Sequence, residues 1–537
     1  MAPAASDALD VVVVGGGHNG LVAAGYLARA GLRVRVLERL DEVGGAAASA
    51  RAFHGVDARL SRYAYLVSLL PARIVEDLGA PVRLARRRYA SYTPNPGDGG
   101  RTGLLIGAHP DTATSRPAIA AFAAAGAAGD ERGFADFYRR CRAVTEPLWP
   151  TLTEPLRRRK DARRQVLETG GPDAAAAWTA LIDQPVGLAI AEAVGSDLVR
   201  GVMATDALIG TFARLGDPSL TQNVCLLYHL LGGGTGEWDV PVGGMGTVTG
   251  ALEAAARRHG AEIVTGAEVS AITPDGEVRY RCPADNPAEH RLQAGFVLAN
   301  VGPAVLAGLL GEPAPELAGG AQVKVNLMLR RLPRLRDDTV TPEQAFGGTF
   351  HINEMWSQLE TAYTVAAAGR IPAPLPCEIY CHSLTDPSIL SPGLRESGAA
   401  TLTVFGLHVP DSLQRSTPDV IRGHLTEAVL DSLNSVLAEP IQDVLMNDGH
   451  GLPCIETKTT VDLENSLGMT GGNIFHGALQ WPFADDDDPL DTPAQRWGVA
   501  TAYDRILLCG SGTRRGGAVS GLGGHNAAMA VLAHRAD

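Results

Sequence analysis

The chain has 537 residues, a net charge of −13 and 45% hydrophobic residues. This length exceeds what one hydrophobic core usually supports, so two or three structural units are expected. The acidic balance gives no overall positive field that would attract nucleic acid, which excludes DNA and RNA as expected partners.

The amino terminus and the cysteines indicate a cytoplasmic protein. The first ten residues contain neither a basic segment nor an apolar stretch, so no secretory signal is predicted. No apolar run approaches the roughly 20 residues that cross a bilayer. The seven cysteines are scattered, odd in number and lack a CxxC pair, which is typical of free thiols in a reducing compartment.

The first motif is a dinucleotide-binding turn. The β-branched run Val11–Val14 is typical of a buried parallel strand, and it leads directly into the glycine turn Gly15–Gly20. A helix is predicted over 21–30 and a second strand over 32–37, which ends at the acidic residue Glu38. The complete strand, turn, helix, strand and acid unit is far more specific than an isolated GxGxxG pattern.

Each part of this unit has a mechanical role. Gly15 is expected to form the tight turn, Gly17 to admit a pyrophosphate close to backbone N–H groups, and Gly20 to let helix and strand pack. Glu38 is expected to accept both ribose hydroxyls. Because its charge would repel a 2′-phosphate, the site favours FAD or NAD over NADP.

A second glycine turn favours FAD over NAD. Directly after the ribose acid, the stretch that begins at Arg39 ends in Gly44 and Gly45. Two-domain flavoproteins resemble one another here, because FAD continues past the pyrophosphate where NAD would turn away. Arg39, Gly44 and Gly45 are therefore predicted to bind the cofactor.

The middle of the chain contributes further strands and a helix. A helix is predicted over 247–259, followed by strands near 262–264 and 267–272 and a buried strand over 296–300.

The carboxyl-terminal region contains another glycine-rich loop. A buried strand is predicted over 505–510, followed by a loop through Gly524 and a helix over 526–533. Free N–H groups and the positive end of a helix dipole converge in such a loop, which suits anions and carbonyl groups. The residues predicted to bind the cofactor are Gly510, Ser511, Gly521 and Leu522. The backbone of the last two is suited to the pyrimidine edge of flavin, which becomes anionic on reduction.

These motifs resemble the phytoene desaturase-like flavoproteins, part of the broader amine oxidase-like group. The most similar branch is labelled by a pyridine nucleotide-disulfide oxidoreductase domain. The matching segments span nearly the whole chain and are residues 11–45, 238–252, 471–477 and 508–528. The family usually has a proline where Arg515 stands and an arginine where His525 stands. These two differences alter the charge expected beside the flavin.

The disulfide part of the label is not implied. A disulfide reductase needs a cysteine pair on the first helix of its flavin domain, and residues 21–30 contain no cysteine. Cys377 and Cys381 are interpreted as ordinary thiols of an alternating strand.

The predicted fold class is α/β, with a discontinuous Rossmann-like FAD-binding domain and a mixed α+β substrate domain. The flavin domain is expected to comprise residues 1–90, 235–305 and 465–537. The substrate domain is expected to comprise residues 90–235, which are largely helical, and 305–465, which contain several strands.

The resemblance implies noncovalent FAD that takes a hydride from a substrate C–H bond and forms a C=C or C=N bond. The substrate is expected to be a small or lipid-like organic molecule. No second complete GxGxxG follows a strand, so electrons are expected to pass to oxygen, a quinone or another acceptor. Amine oxidation is less favoured, because the loop 510–524 has no aromatic residue for an amine cage. A redox-neutral flavin-dependent isomerase and a non-catalytic FAD-containing scaffold remain alternatives.

Several side chains are candidates for the cofactor and substrate sites. By resemblance, Val269 lies against the adenine. Tyr63, Tyr65 and Trp238 are candidate cavity aromatics, although aromatic residues of this kind are more often ordinary core or rim. His476 is predicted to face the substrate side of the flavin and to donate a hydrogen bond or exchange a proton near neutral pH. A buried structural histidine is the alternative.

Lys324 is the other catalytic candidate. It lies in a predicted strand over 321–329, whose alternation places Lys324, Asn326 and Met328 on one face. The resemblance places Lys324 where amine oxidase-like proteins have a lysine that holds a water beside flavin N5. The alternative is a lysine at the solvent edge of the strand.

Two charged segments have simpler interpretations. The basic cluster over 157–164 suits either lipid headgroups, as a peripheral membrane contact, or a solvated helix face. The acidic run over 485–488 lacks the ligand and glycine pattern of a calcium loop and is interpreted as solvated.

Overall fold

The computed structural model describes residues 9–108, 115–282 and 286–536, without the side chains of 286–288. Within these ranges, no helix combines the length and the apolar character that a membrane span requires.

The described strands, in chain order, are β1 (Leu9–Val14), β2 (Val34–Leu37), β3 (Ser49–Ala50), β4 (Leu60–Ser61), β5 (Leu84–Ala85), β6 (Tyr89–Pro94), β7 (Gly103–Gly107), β8 (Val240–Pro241), β9 (Glu262–Val264), β10 (Glu268–Ile272), β11 (Glu277–Cys282), β12 (Asn286–Ala299), β13 (Gln322–Leu329), β14 (Thr349–Ile352), β15 (Cys377–Tyr380), β16 (Ala400–Leu407), β17 (Ile455–Lys458) and β18 (Ile506–Leu508).

The described α-helices, in chain order, are α1 (His18–Arg29), α2 (Ala72–Leu78), α3 (Arg116–Ala124), α4 (Asp130–Leu148), α5 (Arg159–Thr169), α6 (Ala174–Trp178), α7 (Val186–Ala193), α8 (Asp197–Ala204), α9 (Thr221–Leu231), α10 (Gly246–Arg258), α11 (Pro303–Leu310), α12 (Pro342–Ala345), α13 (Trp356–Ala367), α14 (His382–Thr385), α15 (Pro392–Glu396), α16 (Asp411–Gln414), α17 (Pro418–Asn434), α18 (Thr460–Leu467), α19 (Pro493–Arg496) and α20 (Leu522–Ala536).

The first sheet is the Rossmann-like part of the fold. Its strand order is β10-β11-β12-β1-β2-β9, and β18 pairs with β12. β1 runs parallel to both β2 and the end of β12, so that Val12 pairs with Arg35 on one side and Val297 on the other. The valines of β1 are buried, as expected for a parallel strand covered on both faces, with Val11 and Val13 in one hydrophobic cluster and Val12 and Val14 in another.

The second sheet has the order β17-β13-β16-β15-β14-β6-β7. All its pairs are antiparallel except the parallel pair of β14 with β6. Its neighbouring strands β13 and β16 are buried along their whole length. Between β7 and β8, the helices from α3 to α9 pack around the longest of them, α4.

The architecture confirms the predicted α/β class with a discontinuous Rossmann-like sheet. The strands of the first sheet come from the ranges 9–37, 262–299 and 506–508. The last helix differs from the prediction, because α20 begins at Leu522 rather than at residue 526. Gly524 allows this earlier start, since a Cβ atom there would lie 1.9 Å from the carbonyl oxygen of Asn19 in α1.

The basic cluster and the acidic run lie next to each other. Arg158 donates hydrogen bonds to the carbonyl oxygens of Asp486 and Asp488, at 2.8 and 2.9 Å. The backbone N–H of Lys160 donates to the Asp486 carboxylate at 3.0 Å. The two segments therefore interact with each other at the surface, and membrane contact through the cluster stays a prediction.

Candidate active site

A cavity of about 690 Å³ opens at the carboxyl ends of β1, β2, β12 and β18, where nucleotides bind in sheets of this kind. The glycine region of its wall comprises Gly15, Gly17, Glu38, Gly44 and Gly45. The polar region of its wall comprises Lys324, Thr349, His351, Glu378 and Tyr380, all from the second sheet.

Glu38 holds the two turns of the glycine region in place. One carboxylate oxygen accepts a hydrogen bond from Gly16 N at 2.7 Å, and the other accepts one from Leu40 N at 2.9 Å. Gly15 has a φ of +99° and Gly44 a φ of +128°, a conformation that side chains rarely adopt. The acid therefore orders the turns in addition to facing the cavity.

Gly17 and Gly20 serve different purposes. A Cβ atom at Gly20 would lie 2.3 Å from the carbonyl oxygen of Gly15, so the packing of helix against turn requires glycine there. At Gly17 the nearest atom would be Asn300 Nδ2, at 3.2 Å. Gly17 lines the cavity and Gly20 does not.

Sequence reasoning missed Asn300 as a site residue. Its side-chain amide donates to the carbonyl oxygen of Gly15 at 2.8 Å and to that of Gly17 at 3.4 Å. Asn300 follows β12 directly. A polar residue at the carboxyl end of a buried parallel strand is where ligands bind in such sheets, and this position could have identified it from the sequence. Val269 and Arg39 line the cavity as well.

Three buried polar atoms in the cavity wall fit a polar ligand. They are His18 Nε2, Asn19 Oδ1 and His476 Nδ1, and none has a hydrogen-bond partner within the described ranges. Burial lowers the pKa of both histidines to about 4, so each is neutral at pH 7. Buried polar atoms in proteins are nearly always satisfied, so these three suit the phosphate and amide groups of a dinucleotide.

The carboxyl-terminal loop lines the cavity through two of its four predicted residues and through a segment between them. Gly510, Ser511 and the segment 516–519 line it, whereas Gly521 and Leu522 do not. Gly521 instead lies beside the side chains of Val22, Leu70 and Ile74. The chain has already turned into the interior before α20 begins.

The two residues that differ from the family pattern, Arg515 and His525, point away from the cavity. Arg515 is buried and donates to the carbonyl oxygens of Thr151, Glu154 and Trp497, at 2.9, 2.5 and 3.2 Å. His525 packs edge-on against Tyr26, with ring centroids 5.1 Å apart. Neither residue lines the cavity, so Arg515 acts on the packing of the loop and His525 on that of α20 against α1.

Lys324 is buried in the wall of the polar region, with 3% of its surface exposed. Its ammonium group donates to the carbonyl oxygens of Ser61 and Tyr63, at 2.9 and 2.5 Å, and lies 4.7 Å from the centroid of the Tyr65 ring. Burial lowers the pKa of Lys324 well below its usual value. The alternative that Lys324 lies at the solvent edge of its strand is wrong, because the side chain is buried and β13 pairs with a strand on each side.

The aromatic candidates line the same cavity. The Tyr65 ring lies 5.0 Å from that of Tyr380. Trp238 packs against His229, and its indole N–H donates to the carbonyl oxygen of His229 at 3.0 Å. Tyr63 is the third member of this set in the wall.

A buried polar cluster adjoins these rings. The register of β14 with β15 places His351 opposite Glu378. His351 Nδ1 lies 2.6 Å from Glu354 Oε2, which also accepts a hydrogen bond from the Thr205 hydroxyl at 2.9 Å. The Tyr380 hydroxyl donates to Glu378 at 2.6 Å.

The charges of this cluster perturb one another. Burial and the neighbouring Glu354 raise the pKa of Glu378 to about 7. Burial opposes protonation of His351, but the neighbouring carboxylates, Glu354 foremost, together outweigh it and raise the pKa of this imidazole. Sequence reasoning missed the cluster, because Glu378 was considered only as part of the strand that carries Cys377.

The comparisons with known proteins agree with this geometry. Residues 13–72 match the family model described as NAD(P)-binding Rossmann-like domain. An uncharacterized protein of Mycobacterium tuberculosis (strain ATCC 25618 / H37Rv) is 69% identical over 98% of this chain and 97% of its own length. Pyridine nucleotide-disulfide oxidoreductase domain-containing protein 2 of Rattus norvegicus is 28% identical over 97% of this chain and 93% of its own length.

Among solved structures, cyclohexylamine oxidase from Brevibacterium oxydans IH-35A has a similar fold. The TM-score is 0.52 and the sequence identity 16%, over 99% of this chain and 100% of the oxidase. The likeness concerns the fold alone. It extends through both sheets, since nearly all of each chain is covered.

Proposed function

This chain belongs to one family with its 69% identical mycobacterial relative. We infer that this family is part of the amine oxidase-like group of flavoproteins, because residues 13–72 match a Rossmann-like dinucleotide-binding domain and the fold resembles that of an amine oxidase. Members of this group are dinucleotide-binding oxidoreductases. The label of the rat relative does not extend to disulfide chemistry in this chain, because α1 contains no cysteine and all seven cysteines are buried free thiols.

We propose that the protein binds FAD noncovalently and removes a hydride from a C–H bond of a small or lipid-like organic substrate, which forms a C=C or C=N bond. The flavin supplies the redox chemistry. We assign the chain to the phytoene desaturase-like branch and propose that electrons pass to oxygen, a quinone or another acceptor. The buried free thiols support a reducing compartment such as the cytoplasm.

One observation carries the proposal: the glycine region and the polar region line the same cavity. A dinucleotide held by the first region would extend toward Lys324 and the aromatic side chains of the second. Glu38 would bind the ribose, Gly17 would admit the pyrophosphate and Val269 would contact the adenine. The polar region would then orient the substrate and exclude water.

The cofactor is tested on purified protein. We expect a yellow protein whose flavin absorbance is released by acid precipitation and is identified as FAD by mass. His18 lies at the glycine turn, so a covalent bond to the flavin ring is not expected. Colourless protein that fails to take up added FAD would contradict the proposal.

The reaction is tested by anaerobic incubation with a panel of amines, terpenoids and unsaturated lipids. Bleaching of the flavin identifies substrates, and product masses identify the reaction. Loss of two hydrogens supports the dehydrogenase, whereas an unchanged mass indicates an isomerase. Full FAD occupancy without bleaching by any compound or chemical reductant would instead indicate a scaffold.

A further inference from the structure

The polar cluster behind the cavity wall has the composition of a metal site. His351, Glu354 and Glu378 each offer one ligand atom, and these atoms all lie within 4.8 Å of one another. His351 and Glu378 come from paired strands, and Glu354 follows β14 closely. Paired strands therefore fix two of the three ligands, and the third is only two residues beyond one of these strands, which suits an ion of defined geometry.

The charges of the cluster call for a cation. Two carboxylates lie close together, and both residues have only 1% of their surface exposed. Buried carboxylates need a proton, a paired charge or a bound metal, and a single imidazole neutralises at most one of them. A divalent cation beside a neutral imidazole neutralises both.

Glu354 supplies a second and independent observation. Its Oε1 atom is buried and has no hydrogen-bond partner among the described residues, whereas its Oε2 atom faces His351. The side chain of Glu354 is 0% exposed, so it has no contact with bulk solvent. A metal ion would give this oxygen a partner.

We propose that His351, Glu354 and Glu378 bind one divalent metal ion, Zn²⁺ or Mn²⁺. One imidazole nitrogen and two carboxylates suit a metal of borderline hardness better than Mg²⁺, which prefers oxygen ligands and water. The hydroxyls of Thr205 and Tyr380 already hold the carboxylates and would orient them as outer-shell partners.

The position of the site suggests what the ion does. His351 and Glu378 line the cavity, whereas Glu354 lies behind them. Coordination positions not filled by the protein would therefore face the cavity, as in metal sites that accept an exogenous ligand. An oxygen or nitrogen donor of the substrate would bind there.

The experiment uses the full-length flavoprotein, dialysed against a chelator and then against chelator-free buffer. Titration with MnCl₂, followed by the loss of the free-ion EPR signal, is expected to show one site per chain. ZnCl₂ is expected to displace the bound Mn²⁺, in accordance with the general order of divalent affinities. Elemental analysis before dialysis shows which of the two ions the protein carries when purified.

Substitutions assign the ligands. Glu378→Gln and Glu354→Gln are expected to weaken Mn²⁺ binding by more than about 100-fold, because loss of even an outer-shell partner costs 10- to 100-fold. Glu464→Gln is the matched control, since this carboxylate also lines the cavity but lies outside the cluster. Its affinity for Mn²⁺ is expected to equal that of the wild type.

Two outcomes would overturn the proposal. One is that the chain binds no Mn²⁺ at a stoichiometry of one ion per chain. The three side chains would then form a protonated hydrogen-bond network without a metal. The other is equal affinity in the wild type and both glutamine variants, which would indicate adventitious binding. If the variants fail to fold, electron spin echo spectra of the Mn²⁺-loaded wild type decide, because they must show coupling to an imidazole nitrogen. Flavin absorbance, recorded in the same samples, reports FAD binding separately.

Discussion

The two regions of the cavity wall are built in different ways. The glycine region is formed mainly by backbone, and a single acid, Glu38, holds its turns through two backbone N–H groups. The polar region is formed by side chains from separate strands of the second sheet, as Lys324 and Glu378 illustrate. The first region is therefore sensitive to any added atom, and the second to the chemistry of individual side chains.

The largest effect that this comparison predicts comes from Gly20→Ala. The added methyl group would lie 2.3 Å from a backbone oxygen, which cannot move without distorting the turn. We expect destabilisation by about 3 kcal/mol or more and loss of bound flavin. Thermal unfolding and the flavin-to-protein absorbance ratio measure the two effects.

Gly17→Val is the matched comparison for Gly20→Ala. Its side chain would enter the cavity rather than the protein interior, so the apoprotein should unfold at nearly the wild-type temperature but fail to bind FAD. Normal flavin content in either variant would contradict the roles assigned to these glycines.

A smaller effect is expected from Arg515→Met in the carboxyl-terminal loop. The change removes donors from three carbonyl oxygens, and only part of this loss is offset by removing a buried charge. We expect destabilisation by about 1–3 kcal/mol, measured by denaturant unfolding. Because Arg515 points away from the cavity, the flavin spectrum should not change, and a shifted spectrum would place its charge beside the flavin after all.

The contrast between the regions also explains what the sequence could predict. The glycine turn, β1 and Glu38 lie within one short segment whose pattern repeats in many proteins. The pairing of His351 with Glu378 depends on the register of two antiparallel strands, which no local pattern encodes. The end of the glycine-rich loop was predicted too late for a related reason. Gly524 was assigned to the loop, but it lies inside α20 and packs closely against α1, a contact that no local pattern encodes.

The polar region is tested by Lys324→Met, which nearly preserves length and removes the amine. We expect normal FAD content, because Lys324 is outside the glycine region. Two carbonyl oxygens lose a donor, so unfolding should be easier by about 1–2 kcal/mol. If Lys324 stabilises charge beside the flavin as proposed, its loss should slow the flavin half-reactions by about tenfold or more.

Stopped-flow measurement separates the two half-reactions of the Lys324→Met variant. Reoxidation by oxygen is measured on photoreduced protein and needs no substrate, whereas reduction is measured with any compound that bleaches the flavin. Met328→Leu is the control, since Met328 belongs to the same strand face without a polar group. Wild-type rates in both half-reactions would remove Lys324 from the mechanism.

The smallest effect is expected from His476→Gln. Burial lowers the pKa of His476 to about 4, below its usual value of 6.5, so the imidazole is neutral throughout pH 6–8. A neutral hydrogen-bonding group contributes about 1 kcal/mol, which corresponds to less than tenfold in the rate of flavin reduction. The rate of the variant should therefore follow the same pH profile as the wild type between pH 6 and 8. A loss of 100-fold or more, with a changed profile, would instead identify His476 as a proton-transfer group.

The stability of the His476→Gln variant gives an independent check on the same residue. Because the folded protein binds the proton more weakly than the unfolded chain, His476 costs stability as the pH falls from about 6.5 to 4. The glutamine variant should lose this part of the acid sensitivity, which denaturant unfolding at pH 7 and pH 4.5 would measure.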